Sequence, residues 1–192
     1  SEWMASLSAQ LSTYSQAEAE NLVFWLLEHH LGLRRADLQL TIPTAVDRET
    51  LLADFERLLT GEPIQYILGE APFYGRSFGV TQDTLIPRNE TEELVHLILK
   101  ENPSSGLCIL DLGTGTGCIP ISLALELKNP DVYALDVSAA ALTVARQNAA
   151  QLGATIHFIE GSLLGEPINL PLLDLIVSNP PYVPLRDQAE MH

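Results

Sequence analysis

From Leu107 onward, short apolar runs alternate with helical stretches at the spacing of βα units, and this restricts the chain to a parallel sheet. Leu107 to Leu112 is predicted as a strand, followed by a glycine-rich turn and a helix near Ile119 to Glu126. Val132 to Leu135 is the next strand, after which Ser138 caps a helix running to about Gln151. Ile156 to Ile159 and Leu175 to Val177 supply two more strands. Parallel neighbours need crossover connections, so helices are expected on both faces of the sheet. The fold class is therefore α/β. Open sheets of this kind usually carry more strands than the four read here, so the chain is expected to lack the C-terminal strands.

The first part reads as helical instead. Ser15-Gln16-Ala17-Glu18 has the form of a capping box ahead of the apolar stretch Leu22 to Leu27, with a stop at Gly32. A second helix is expected from about Asp47, with Leu51, Leu52, Phe55, Leu58 and Leu59 on one stripe and Gly61 at its end. Met4, Leu7 and Leu11 mark a further N-terminal helix. Between Pro63 and Pro87, Phe73, Tyr74, Phe78 and Val80 interleave with Gly69, Gly75 and Gly79, a hairpin pattern. Asn89-Glu90-Thr91-Glu92 looks like another helix start with Asn89 as its cap, and Leu94, Val95 and Ile98 face inward. The expected organisation is a helical bundle over residues 1–70, a hairpin linker over 71–88, and the sheet domain over 89–192.

Charge narrows the partners. Ten Lys and Arg stand among 25 Asp and Glu, giving a net charge of −15 with no basic run. Nucleic-acid binders displace counterions with basic patches, so unaided binding to DNA or RNA is not expected. A basic protein partner would be steered in by this field. Cys108 and Cys118 read as reduced rather than as a disulfide framework, and neither has metal-ligand neighbours, so no metal site is expected. No apolar run approaches a membrane span and no secretory signal opens the chain, so a cytoplasmic location and no membrane contact are expected.

Asp111-Leu112-Gly113-Thr114-Gly115-Thr116-Gly117 follows the first predicted strand and opens a helix, with Asp136 ending the second strand. Glycines there let a backbone approach a ligand closely, and a carboxylate at Asp136 can accept both hydroxyls of a ribose. Dinucleotide enzymes and S-adenosylmethionine (SAM) enzymes share these features. A dinucleotide fingerprint wants Gly or Ala where this chain has Cys118, and the Asp111 carboxylate opposes a pyrophosphate. That carboxylate suits the cationic amino acid portion of SAM. A purely structural glycine turn capped by an aspartate remains an alternative.

A second motif follows the last predicted strand. In Ser178-Asn179-Pro180-Pro181-Tyr182 an apolar run ends in an amide, two prolines and an aromatic ring. The prolines stiffen the loop. Such a loop can present an amide acceptor and a flat ring to a planar, neutral NH2 group, although a proline-rich turn is the bland alternative.

Taken together, Gly61-Glu62-Pro63-Ile64-Gln65-Tyr66 with Gly69, Leu85-Ile86-Pro87-Arg88-Asn89-Glu90-Thr91-Glu92, the Asp111 to Gly117 loop and Ser178 to Tyr182 resemble the release-factor glutamine N5-methyltransferase (HemK/PrmC) family. The resemblance covers the helical domain and the first half of the catalytic domain. It implies a class I SAM-dependent methyltransferase sheet, Rossmann-like, with the fourth strand beside the first. It also implies methyl transfer from SAM to the glutamine amide of the Gly-Gly-Gln loop in peptide-chain release factors, yielding S-adenosyl-L-homocysteine. On this resemblance Asp111, Gly113, Thr114, Gly115, Gly117, Asp136, Ser162, Leu163 and Asn179 hold the cofactor. Asn179, Pro180 and Tyr182 serve catalysis, and Pro181 joins them in binding substrate. Arg88 and Glu90 read either as cofactor-side residues or as a helix cap with a salt bridge. Two positions depart from the family pattern: Asn89 replaces its usual proline, and Ser162 stands where an acid often meets the adenine amino group. An adenine-N6 methyltransferase on nucleic acid would share the Asn-Pro-Pro-Tyr chemistry, and a non-catalytic SAM-binding fragment is the third reading.

Overall fold

The computed structural model describes residues 6–32, 48–162, 164–165 and 167–180. The chain divides into two compact units, Ser1–Gly69 and Glu70–His192.

The first unit is helical. Helix α1 (Gln16–Leu31) starts where the sequence places it: the Ser15 hydroxyl accepts from the Glu18 N–H at 3.3 Å, and Gly32 closes the helix with φ 61°. Helix α2 (Arg48–Leu59) follows. Helix α3 (Ile64–Leu68) is an addition to the sequence reading, which expected only connecting chain there. Five residues are too few for a periodic pattern. Pro63 at the cap and Gly69 at the stop instead delimit one turn of helix. Val23, Leu26, Leu27, Leu51, Phe55, Leu58, Ile64 and Ile67 form the core, joined by Leu7 and Leu11 from the N-terminal segment. Met4 and Asp47 lie outside the described residues. Arg57 on α2 makes a forked ion pair with Glu62 at 2.7 and 2.9 Å and reaches Asp54, which also meets His30. Arg57 is substantially exposed, so this network fixes geometry more than it adds stability.

The second unit opens with a hairpin of β1 (Glu70–Phe73) and β2 (Arg76–Gly79). Tyr74 and Gly75 turn it with φ 48° and 72°, the paired positive angles of a tight hairpin turn. Helix α4 (Asn89–Glu101) comes next. Its N-cap residue is Arg88, not Asn89, which is already helical, and no side chain caps it. The acids Glu90 and Glu92 in the first turn favour the helix N-terminus by charge instead. Then β3 (Cys108–Leu112), α5 (Cys118–Glu126), β4 (Asp131–Asp136), α6 (Ala139–Leu152), β5 (His157–Glu160) and β6 (Leu175–Ser178) alternate as expected.

All four of the latter strands are parallel, in the order β5-β4-β3-β6. Consecutive residues Ile109, Leu110 and Asp111 are all buried, so β3 is covered on both faces. The order reverses at β3, since β4 pairs on one side and β6 returns to the other. Ligands of open α/β sheets bind outside the strand ends at such a reversal. Ile176 on β6 is 57% exposed. Among the described residues, no helix is long and apolar enough to cross a membrane.

Candidate active site at the sheet reversal

The C-terminal ends of β3, β4 and β6 present the two sequence motifs to one region. After β3 the chain turns on Gly113, Gly115 and Gly117, at φ 72°, 55° and 78°. Gly117 is the position a side chain could least occupy. A Cβ there would meet Ile121 Cδ1 at 3.0 Å and the Ala145 methyl at 3.1 Å, so the glycine lets α5 start tight against α6.

The loop is held from two sides. The N–H groups of Gly113 and Thr114 both donate to the Leu135 carbonyl, at 2.8 and 3.0 Å. Asp136, half-buried at the end of β4, accepts from the Gly115 N–H at 2.8 Å through one oxygen and from the Ser138 N–H at 2.9 Å through the other. Each oxygen keeps a second lone pair, so this carboxylate can still accept from a diol. Asn148, 2% exposed on α6, was not singled out in the sequence. Its Oδ1 accepts from the Gly79 N–H at 2.7 Å, and its Nδ2 donates to the carbonyls of Gly79 at 3.0 Å and Thr116 at 2.9 Å. One side chain thus ties the hairpin to the glycine loop.

Asp111 is 2% exposed, and among the described residues its Oδ2 has no hydrogen-bond partner; the Thr114 hydroxyl is buried and equally without one among them. Burial pushes the Asp111 carboxyl up to about 7, the nearby Thr114 hydroxyl works against this, and the charge of Asp136 adds to it. The threonine lies close enough to act electrostatically without closing a hydrogen bond of ordinary geometry. A buried acid with an idle oxygen is a receptor for a cationic N–H donor. The Cys118 thiol beside it is pushed up to about 12 by burial, which rules it out as a thiolate nucleophile.

Asn179 directly follows β6, whose Ser178 pairs in register with Leu112 and donates its hydroxyl proton to the Leu112 carbonyl at 2.9 Å. The register sets Asn179 level with the start of the glycine loop. Its Nδ2 donates to the Thr91 hydroxyl oxygen at 2.9 Å, and its Oδ1 has no partner among the described residues. A cavity of about 460 Å³ is lined by Leu85, Arg88, Glu90, Thr91, Leu94, Asn179 and Pro180. A second, of about 50 Å³, runs from Arg88, Thr91 and Asn179 to Gly113, Thr114 and Gly115. The structure therefore brings together Asn179, Pro180, the glycine loop and Arg88. Arg88 is the N-cap residue of α4 and Glu90 lies in its first turn.

Ser162 follows β5, and the preceding Gly161 N–H donates to the Asp136 carbonyl at 3.0 Å. The Ser162 hydroxyl accepts from the Leu164 N–H at 3.2 Å and keeps its own proton and a second lone pair. Leu163, Pro181 and Tyr182 lie outside the described residues. Thr91 is the member of the site that sequence reasoning passed over. It stands inside the Pro87-to-Glu92 motif, but nothing local shows that it faces a residue 88 positions away.

Comparison with known proteins meets this geometry from both halves of the chain. Residues 2–69 match the PrmC N-terminal domain, and residues 90–191 match the methyltransferase small domain. A release factor glutamine methyltransferase of Enterococcus faecalis is 53% identical over 137 residues, covering 71% of this chain and 49% of that protein. One from Flavobacterium psychrophilum is 45% identical over 195 residues, covering 97% of this chain and 68% of that protein. The chain thus spans between about half and two thirds of the length of these curated relatives. The structure of Pyrococcus abyssi tRNA (uracil-54, C5)-methyltransferase in complex with S-adenosyl-L-homocysteine aligns at TM-score 0.48 and 20% identity, over 58% of this chain and 28% of that one. With one family domain matched in each half and 45% identity across 97% of its length, the chain belongs to the release factor glutamine methyltransferase family.

Proposed function

We propose that this chain transfers a methyl group from SAM to the side-chain amide nitrogen of the glutamine in the Gly-Gly-Gln loop of peptide-chain release factors. The observation that carries this reading is the Asn179 amide. Its NH2 end is held by Thr91, and among the described residues its oxygen has no partner beside a cavity that reaches the glycine loop.

The donor set fits the cofactor. Asp111 and Thr114 offer an ammonium group buried oxygens that have no partner among the described residues. Asp136 keeps lone pairs for ribose hydroxyls, and Gly113, Gly115 and Gly117 leave the approach open. Ser162 and Leu163 would meet the adenine, through the backbone and by packing of Leu163. When bound, SAM supplies a methyl already activated on a sulfonium.

An amide nitrogen is a weak nucleophile because its lone pair is delocalised into the carbonyl. The protein's task is therefore to orient it. Asn179 Oδ1 and the Pro180 carbonyl would accept the two N–H groups of the glutamine, aligning its nitrogen toward the methyl. Orientation of this kind is worth several kcal/mol of barrier, up to about 7–11 in the best cases. Tyr182 would pack on the flat amide with Pro181 fixing the turn. No strong base is required beforehand, since the methylated amide loses its extra proton readily to water. The helical unit Ser1–Gly69 is assigned to recognition of the release factor, and the net charge of −15 would steer in a basic face of that protein.

Mass spectrometry of a release factor incubated with this chain and SAM tests the reading. The expected product carries one added methyl on the Gly-Gly-Gln glutamine. An unmodified glutamine under conditions where SAM is bound would overturn the assignment for this chain. So would methylation of adenine in an oligonucleotide in its place.

A further inference from the structure

Glycines let the loop after β3 receive a ligand closely, but the same freedom lets an empty loop wander. Gly113, Gly115 and Gly117 all hold positive φ, so the shape of the loop has to be imposed by what surrounds it. Leu135 and Asp136 hold its first half, through the N–H groups of Gly113, Thr114 and Gly115. Beyond Gly115 the tip closes by the Gly117 N–H donating to the Thr114 carbonyl at 2.9 Å. On the same rigid peptide plane, pointing the opposite way, lies the Thr116 carbonyl, which accepts from Asn148 Nδ2 at 2.9 Å. Asn148 thus pins one edge of a plane whose other edge closes the turn.

We infer that Asn148 is a positioning residue for the cofactor, holding the loop tip in its receiving shape before anything binds, with the end of β2 as its anchor. The inference rests on the placement, proposed above, of the amino acid portion of SAM against Asp111 and Thr114. The polarity of the Asn148 amide is settled by its neighbours. The Gly79 N–H can only donate, and the carbonyls of Gly79 and Thr116 can only accept, so Oδ1 and Nδ2 each have one possible place. Aspartate would turn an oxygen toward two carbonyls, and leucine would leave all three backbone groups without this partner.

Helix α6 is shaped for this approach. Ala145 stands one turn before Asn148 on the same face, and its methyl is what a Cβ at Gly117 would meet at 3.1 Å. The small residue lets the loop come close, and the amide beyond it takes hold. A residue needed only to pack α6 against the hairpin would be apolar, because a buried amide costs free energy unless it is bonded. Asn148 is 2% exposed, and its third bond goes to the loop rather than to the hairpin.

Loosening the tip lowers the fraction of protein whose site is formed, and apparent affinity falls with that fraction. The loss should be selective. Thr114 opens the tip turn and belongs with Asp111 to the amino acid end, whereas Asp136 keeps its bond from the Ser138 N–H whatever the tip does. The test measures binding of two thioethers, S-adenosyl-L-homocysteine and methylthioadenosine, which share the nucleoside and differ in the amino acid portion. Asn148→Ala should weaken the first roughly 5–30-fold and the second by less than about three-fold. Equal losses, or none, would overturn the role, because a fold weakened as a whole treats both ligands alike. A wild type that binds the two thioethers equally well would instead remove the cofactor placement on which the inference rests.

If Asn148→Ala does not fold, the free wild type decides. The side-chain NH2 resonances of Asn148, assigned through their nuclear Overhauser contacts with Gly79, should stand apart from those of solvent-exposed amides without any ligand. They should move little when S-adenosyl-L-homocysteine is added. Resonances that leave solvent-like positions only in the presence of ligand would show that the tip is not held beforehand and would reject the inference.

Discussion

Replacing Asn179 with alanine is expected to reduce methyl transfer about 100-fold while leaving SAM affinity within about three-fold, the cost of misplacing a reacting group rather than of losing a ligand. The split follows from where this side chain is anchored. Gly113, Thr114, Gly115 and Thr116 are held by bonds with the Leu135 carbonyl, the Asp136 carboxylate and the Asn148 amide, none of which passes through Asn179. Its own bond runs the other way, to Thr91 on α4. Truncation therefore removes the acceptor for the glutamine NH2 and leaves the cofactor loop standing. Calorimetric titration with SAM and transfer of a labelled methyl to a release factor measure the two quantities separately. Loss of both in parallel would assign Asn179 to cofactor binding instead.

The second large effect has opposite signs in two assays. Asp111→Asn should stabilise the free protein at pH 8 and abolish most of its SAM binding. In the folded chain the Asp111 carboxyl is raised from 3.8 to about 7, burial being the main cause. A raised acid contributes its full stability below the unfolded value, and that contribution is lost as pH climbs through the folded value. Above pH 7 the free fold carries a buried carboxylate with an idle oxygen, a penalty on the order of 4 kcal/mol for a shift of this size. Asparagine escapes that penalty and offers no charge to an ammonium. Denaturant midpoints of wild type and Asp111→Asn should therefore agree near pH 4 and separate at pH 8, with the variant higher. SAM affinity of the wild type should rise as pH climbs through 7, since the carboxyl must release its proton to receive a cation. Equal midpoints at both pH values together with undiminished SAM binding would remove Asp111 from the role.

The elements that could be read from sequence are those whose signals are local. Ser15 and Ser138 announce α1 and α6 because an N-cap bonds only three residues ahead, as both hydroxyls do here. The strand–glycine–helix unit after Leu107 is legible because period and turn chemistry change within a few residues. Helix α3 escaped because it is a single turn, and the cap of α4 shifted by one residue because Asn89 is a good cap in isolation while the extended backbone belongs to Arg88. The candidate site divides along the same line. The Asp111 loop, Asp136 and Asn179 stand out by residue type and position after a strand. Thr91 and Asn148 do not, since each acquires its partner only through tertiary pairing: Asn179 for the one, Gly79 and Thr116 for the other.

The Asn148 amide has a consequence for how this unit opens. A two-stranded hairpin on its own is marginal in water. Here the last residue of β2 has both its backbone groups satisfied by one buried side chain, whose remaining proton holds Thr116. The hairpin end cannot fray without releasing the loop, and the loop cannot loosen without exposing the hairpin. They form one cooperative opening unit, and a ligand that binds only its closed state lowers the frequency of every opening in it. Hydrogen exchange at the Gly79 amide should therefore slow when SAM binds, and an exchange rate indifferent to SAM would uncouple the two. A strand outside the proposed cofactor-binding set would then report on an occupant it does not touch.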